Sequence, residues 1–280
     1  MASRLSRRLV GAAMTGATYA TAFLAIVPLA AILAMLVAKG AGSLDLDFFL
    51  KSSVPLGEAG GGFAHAIVGT LIVVALACLI GIPVGIGAGI FLAEFGGGPT
   101  GAVVRFVADI FNGTPSIVIG IFAWTFLVKP MGRFSALAGG VALAVILVPI
   151  VARTTEEMVR LVPNSLREAA LALGYPRWRT SLQIVARTAG AGIVTGALVA
   201  MARVAGETAP LLFTALGNQF FSTRVLEPMA ALPLQIYSYA IGPYEEWNRQ
   251  AWAGALVLIL LVLLLGLLAR AATGGRHRGA

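Results

Sequence analysis

Arg203 and Glu207 stand four residues apart in the stretch Thr188–Thr223, which carries no other charge. On a helix that spacing puts both side chains on one face. A guanidinium is planar, keeps its proton and offers paired donors, so it suits an oxyanion. The competing reading is an ion pair that only fixes packing against another protein, although ionisable groups inside apolar segments are functional by default. A second constellation is Asn112-Gly113-Thr114-Pro115-Ser116, a cap residue followed by proline at the first helical position. Such a helix start presents free N–H groups that suit an anion near Thr114 and Ser116. From Pro115 only 14 residues remain before Lys129, about 21 Å of helix and short for a bilayer. A structural break at Gly113 is therefore the preferred reading of this motif.

The third constellation lies in residues 153–187, RTTEEMVRLVPNSLREAALALGYPRWRTSLQIVAR, the most polar piece of the chain. Ser165 and Glu168 have the spacing of a capping box, Pro163 lies just ahead, and Gly174 supplies a left-handed stop. A helix of about two turns is predicted. Its apolar residues Leu166, Ala169, Ala170 and Leu173 follow the i, i+3, i+4, i+7 pattern of a helix that docks in a groove. The small Ala169 and Ala170 permit close approach. A surface helix lying in the membrane interface fits this pattern equally well.

The elements that position these residues follow from composition. The chain has 280 residues, 59% hydrophobic and only 11% charged, with a mean hydropathy of +0.92. Soluble domains average about 25% charged residues, so a soluble enzyme is excluded. The 34 glycines and 13 prolines are scattered among aliphatic residues, which suits membrane helices and not a disordered chain. Cys78 is the single cysteine, so no intrachain disulfide forms, and no metal-ligand cluster of cysteine and histidine is present, His65 and His277 included. Charge-free runs then define an all-α, polytopic membrane protein with six spans in one domain covering 1–280, at about 14–38, 64–92, 110–128, 134–152, 188–216 and 250–270. In the second span Gly81–Gly89 (GIPVGIGAG) is expected to bend the helix.

Of the 20 basic residues, 13 fall on the side shared by both termini, six on the other, and Arg203 inside a span. The positive-inside rule therefore places both termini in the cytoplasm. The formal charge of +8 is membrane topology, and nucleic-acid binding is not expected. Arg7-Arg8 before an apolar run has the look of a signal sequence, but 30 uncharged residues follow, longer than the roughly 7–15 of a signal core, so a retained first helix is expected. Trp247 and Trp252 stand where interfacial anchors belong.

Glu168-Ala169-Ala170-x-x-x-Gly174, followed after nine residues by Ile184, resembles the EAA loop by which permeases of ABC importers engage their ATPases. The usual Ile-x-Leu-Pro ending is replaced, with Ala186 and Arg187 in the last two places. FNGTPSIVIG at 111–120, ARTTEEMVRLVPNSLREAALALG at 152–174 and ARVAGETAPLLFTALGNQF at 202–220 resemble the A-type (PstA-type) permeases of bacterial phosphate-specific importers, a likeness that runs from about Gly69 onward. The resemblance implies a type I ABC importer permease fold in the inner membrane. It implies as partners a second, PstC-type permease, two PstB-type ATPases carrying ATP and magnesium, and an extracytoplasmic PstS-type phosphate-binding protein. The chain itself has no G-x-x-x-x-G-K-[ST], and its only lysines, Lys39, Lys51 and Lys129, lie on the outer side, so no catalysis and no cofactor are expected in it. Under the resemblance Arg203, Glu207 and Arg153 become candidates for the phosphate route. Glu207 would accept a hydrogen bond from protonated phosphate, and Arg153 is matched by an arginine of the family at the exit end. Arg153 reads equally as a membrane anchor paired with Glu156 or Glu157. An importer for another oxyanion, or a self-sufficient secondary transporter, are the competing functions; the latter predicts inverted repeats, which are not evident.

Overall fold

The computed structural model describes residues 4–55 and 60–274; Arg276, His277 and Arg278 lie outside them. Among the described residues twelve helices, apart from a short 3-10 turn at Ala41–Ser43, follow one another: α1 (Arg4–Gly40), α2 (Leu46–Leu50), α3 (Ala64–Glu94), α4 (Pro99–Gly113), α5 (Ser116–Met131), α6 (Ala136–Arg160), α7 (Asn164–Ala172), α8 (Arg177–Thr188), α9 (Gly190–Ala205), α10 (Ala209–Thr214), α11 (Leu232–Ala240) and α12 (Glu245–Gly274). Among the described residues the only β pairing is a single bridge, Leu216 to Met229. Four helices are long and apolar enough to cross a bilayer, and the bent pairs α4–α5 (105°) and α8–α9 (71°) raise the number to as many as six.

The centre of the molecule is the parallel pair α3–α6, along which Leu76 meets Gly140, Gly81 meets Leu147 and Gly89 meets Thr155. Gly81, Gly85 and Gly89 face α6 one turn apart, and a methyl group on them would lie 2.7 Å from Leu147, 2.7 Å from Val151 and 2.5 Å from the Ala152 carbonyl. Glycine here lets two backbones meet, the small-xxx-small contact of membrane helices. The expected bend of α3 is accordingly absent as a break: the helix runs unbroken through Pro83. Val73, Ala77, Leu143, Leu147, Val151, Ala200 and Val204 form the core around this pair.

Two further clusters close its ends. At one, Phe48 stacks on Phe63 and Phe63 meets Tyr239 edge-on. Trp247 stacks on Tyr239 at 4.7 Å, and Lys39 lies over the Trp252 ring. Both tryptophans are half-buried, Trp247 as part of this aromatic layer and Trp252 beneath Lys39. At the other end Ile90, Val159, Val162, Val185 and Ile193 pack together. α1 lies almost wholly outside the packed body and touches α12 near Gly40.

The element boundaries differ from the sequence-derived spans in three places. The third begins inside α4, because Pro115 lacks an N–H and holds Thr114 extended (φ −77°, ψ 130°), which ends one helix and starts another. The fifth breaks at Gly206–Thr208, and Pro210 sits in the first turn of α10. The fourth continues beyond residue 152 to Arg160, so the first residues of the 153–187 segment are helical.

Candidate functional site

The two helix breaks face each other. Gly120 of α5 abuts Pro210 of α10, where a methyl group would lie 2.8 Å from the Pro210 Cα. Between the breaks lies a cavity of about 160 Å³ lined by Thr114, Ser116, Ile146, Ile150, Arg203 and Glu207, with Asn112 at its edge. Four of the residues singled out in the sequence are therefore brought together by elements distant along the chain.

Their local geometry departs from expectation. Arg203 lies in the last turn of α9, where a cation suits the helix dipole. The helix ends at Ala205, and Glu207 follows in the break, its amide donating to the Val204 carbonyl at 3.1 Å. The two side chains do not share a continuous helical face, because Gly206 and the turn before Pro210 interrupt it. They also make no ion pair with each other: the ion pairs of the described residues lie elsewhere. Arg203 is exposed and Glu207 half-buried. On the opposite wall Asn112 and Gly113 end α4 and do not cap α5, whose cap position is Pro115 itself. The Thr114 hydroxyl donates to the Ile110 carbonyl at 2.7 Å. The amides of Ser116 and Ile117 have no acceptor inside the new helix, the usual state of a first turn.

Arg153 does not line the cavity. It pairs with Glu157 at 3.0 Å, one turn away and in an exposed position. Yet Ile146, Ile150 and Arg153 fall at i, i+4 and i+7 of α6, so Arg153 continues the cavity-lining stripe about 4.5 Å further along the helix.

The segment after α6 forms the predicted short helix with a different cap. α7 begins at Asn164, Pro163 is the cap residue, and no side chain caps it. Ser165 is already inside the first turn, so the Ser165–Glu168 box does not form. The stop is as read: Gly174 has φ +83°. The Gly174 and Tyr175 amides donate to the Leu171 and Ala170 carbonyls, the paired closure that a left-handed glycine permits. Ser165, Leu166, Glu168, Ala169 and Leu173 face outward, whereas Ala170 is 3% exposed and packs inward toward α8. Ala170 is therefore removed from the expected outer face.

Two arginine-centred knots near the end of α3 escaped the sequence reading. Arg167 binds Glu94, and Arg105 binds Glu156 at 2.8 Å while donating to the Leu92 and Gly96 carbonyls past the end of α3. Arg160 adds a second contact to Glu156, which is 2% exposed. The available signal was Glu94, the first charge after the run 59–93; its partner is 73 residues away and has no local signature.

A family model described as binding-protein-dependent transport system inner membrane component matches residues 85–274. The phosphate transport system permease protein PstA of Xylella fastidiosa (strain Temecula1) is 51% identical over 238 residues, covering 84% of this chain and 83% of that protein. The protein of the same name from Pasteurella multocida is 45% identical over 265 residues, 94% of each chain. Among solved structures, a chain of a bacterial alginate ABC transporter in complex with its alginate-bound periplasmic protein superposes with a TM-score of 0.63. It is 14% identical and covers 95% of this chain and 94% of that one, a likeness of fold alone.

Proposed function

The chain belongs to the binding-protein-dependent inner-membrane permeases of ABC importers, as a PstA-type member, and from that premise we propose that it forms half of the phosphate route of an ATP-driven importer. The observation that carries the reading is the cavity between the two helix breaks, where Arg203 and Glu207 stand side by side without making an ion pair with each other. An arginine with free donors binds a phosphate oxyanion in paired geometry. Glu207 accepts the hydrogen bond that a protonated phosphate donates, which fully ionised sulfate has no proton to make. Ser116 and Thr114 line the opposite wall, where the first-turn amides of α5 favour an anion. Arg153, on the same α6 stripe, forms the exit end, exchanging its exposed contact with Glu157 for the passing anion.

The outer face of α7, with Ser165, Glu168 and Ala169, and with Gly174 ending it, docks on a cytoplasmic ATPase that supplies ATP hydrolysis with magnesium; Ala170 supports that face from behind. A homologous PstC-type permease completes the route, two PstB-type ATPases drive it, and a PstS-type binding protein delivers phosphate from outside. Residues 1–280 act as one domain, with both termini and the 153–187 segment in the cytoplasm. Cysteines at Arg160 then react only with cytoplasmic label, and cysteines at Lys51 and Glu245 only with external label.

Phosphate and sulfate uptake by vesicles containing the co-purified complex tests the reading. Phosphate uptake that needs ATP, with little sulfate uptake, supports it. Equal uptake of both anions would favour an importer of another oxyanion, and uptake by the chain without any ATPase would make it a secondary transporter.

A further inference from the structure

Arg167 lies on the inward side of α7 and uses all five of its N–H donors. Nε and Nη2 bind Glu94 Oε1 at 2.9 and 2.8 Å. Nη2 also donates to the Val159 carbonyl at 2.9 Å, and Nη1 to the Val162 carbonyl and Asn164 Oδ1 at 2.6 and 3.1 Å. Glu94 is the last residue of α3, and its second oxygen accepts from the Ser181 hydroxyl of α8 at 3.0 Å. The pair is mostly buried, 19% and 11% exposed. One guanidinium thus ties together the ends of α3 and α6, the start of α7 and the first turns of α8.

We propose that the Arg167–Glu94 pair is the joint that carries movement of α7 into the spans, a positioning role that rests on the reading that α7 docks on an ATPase. Apart from this knot, α7 packs chiefly on α8, so the knot is its firm attachment to the central pair. That pair moves as one body, because the glycine seam of α3 leaves no room for α6 to slide. α6 in turn carries Ile146 and Ile150 to the cavity wall, about 15–21 Å from its Arg160 end. A push on α7 therefore reaches the cavity through two rigid contacts, Arg167 on Glu94 and α3 on α6. Lysine does not replace Arg167: three donors on a flexible stem cannot reproduce five hydrogen bonds to four acceptors from one planar group.

The test uses the full complex with its binding protein in vesicles, measuring ATP hydrolysed and phosphate taken up in the same sample for Arg167→Lys, Glu94→Gln and Ser181→Ala. With the outer face of α7 intact, the ATPase is expected to remain bound. The ATP spent per phosphate imported is expected to rise about tenfold for Arg167→Lys and about two- to threefold for Ser181→Ala, the range of coupling changes seen when a transmitting contact is weakened. An unchanged ratio in assembled complexes would overturn the proposal. So would loss of the ATPase from Arg167→Lys, since the pair would then only build the docking surface. Ser181→Ala leaves the Arg167–Glu94 contact in place and so decides the matter if the other variants misfold. A wild-type complex that holds no ATPase would sink the docking reading itself, a separate outcome.

Discussion

Arg203 and Arg167 carry the same group, yet the cavity arginine shares its pocket with a carboxylate it does not bind, while the arginine of α7 has every donor engaged. A saturated arginine has nothing to offer a ligand and much to offer a fold. An unsaturated one beside two helix breaks contributes little to the fold and is available to a ligand. On the proposed roles, the difference teaches that charge in this protein divides by bonding state: mechanical where satisfied, open to cargo where not.

Arg203→Ala is the sharpest attack on that division. Removing a charge-assisted paired contact of about 1.5–3 kcal/mol should lower phosphate uptake by about 10- to 100-fold. Thermal stability in detergent should shift by less than about 0.5 kcal/mol, because no bond within the chain is lost. The exchange Arg203→Glu with Glu207→Arg should not restore uptake, and full uptake by that double variant would make the two residues packing elements. The opposite pattern is expected of Arg105→Ala. Glu156 would keep only Arg160, and unfolding measurements should show a loss of about 2 kcal/mol, less than the 3–5 for a buried charge left with no partner. Ala169→Asp, on the outer face of α7, should cut ATPase co-purification several-fold with the chain still inserted, whereas Ala170→Asp should damage the fold first, burying a charge against α8. The smallest effect belongs to Ser165→Ala: under about 0.3 kcal/mol, where a true capping serine costs about 1. A larger loss would restore the capping box.

The spans were legible because lipid leaves a plain record, long runs without Asp, Glu, Lys or Arg, and the end of α7 was legible because Gly174 takes a backbone angle that few other residues accept. The start of α7 was not, since Pro163 competes with Ser165 for the same turn and both motifs look sound in isolation. Thr114 and Ser116 were placed correctly beside a break, for proline's local reasons. The second break was hidden, because Gly206-Glu207-Thr208 reads as tolerable helix until Pro210 is counted as a start and not a kink. Nothing local distinguishes Ala169 from Ala170; only the packing of α8 decides which one faces out. Glu94 with Arg167, and Arg105 with Glu156, are tertiary facts, bonded across 73 and 51 residues.

The paired helix breaks also bear on dehydration. The amides freed at Ser116 and Ile117 need partners, and irregular backbone survives at membrane depth only against protein or water. A space of about 160 Å³ is roomy enough to hold water beside an ion. On the proposed route, a phosphate ion entering between α5 and α10 gives up only part of its hydration shell, trading some waters for Arg203 and a few backbone amides while keeping others. Partial dehydration of this kind suits a permease whose task is passage and not storage.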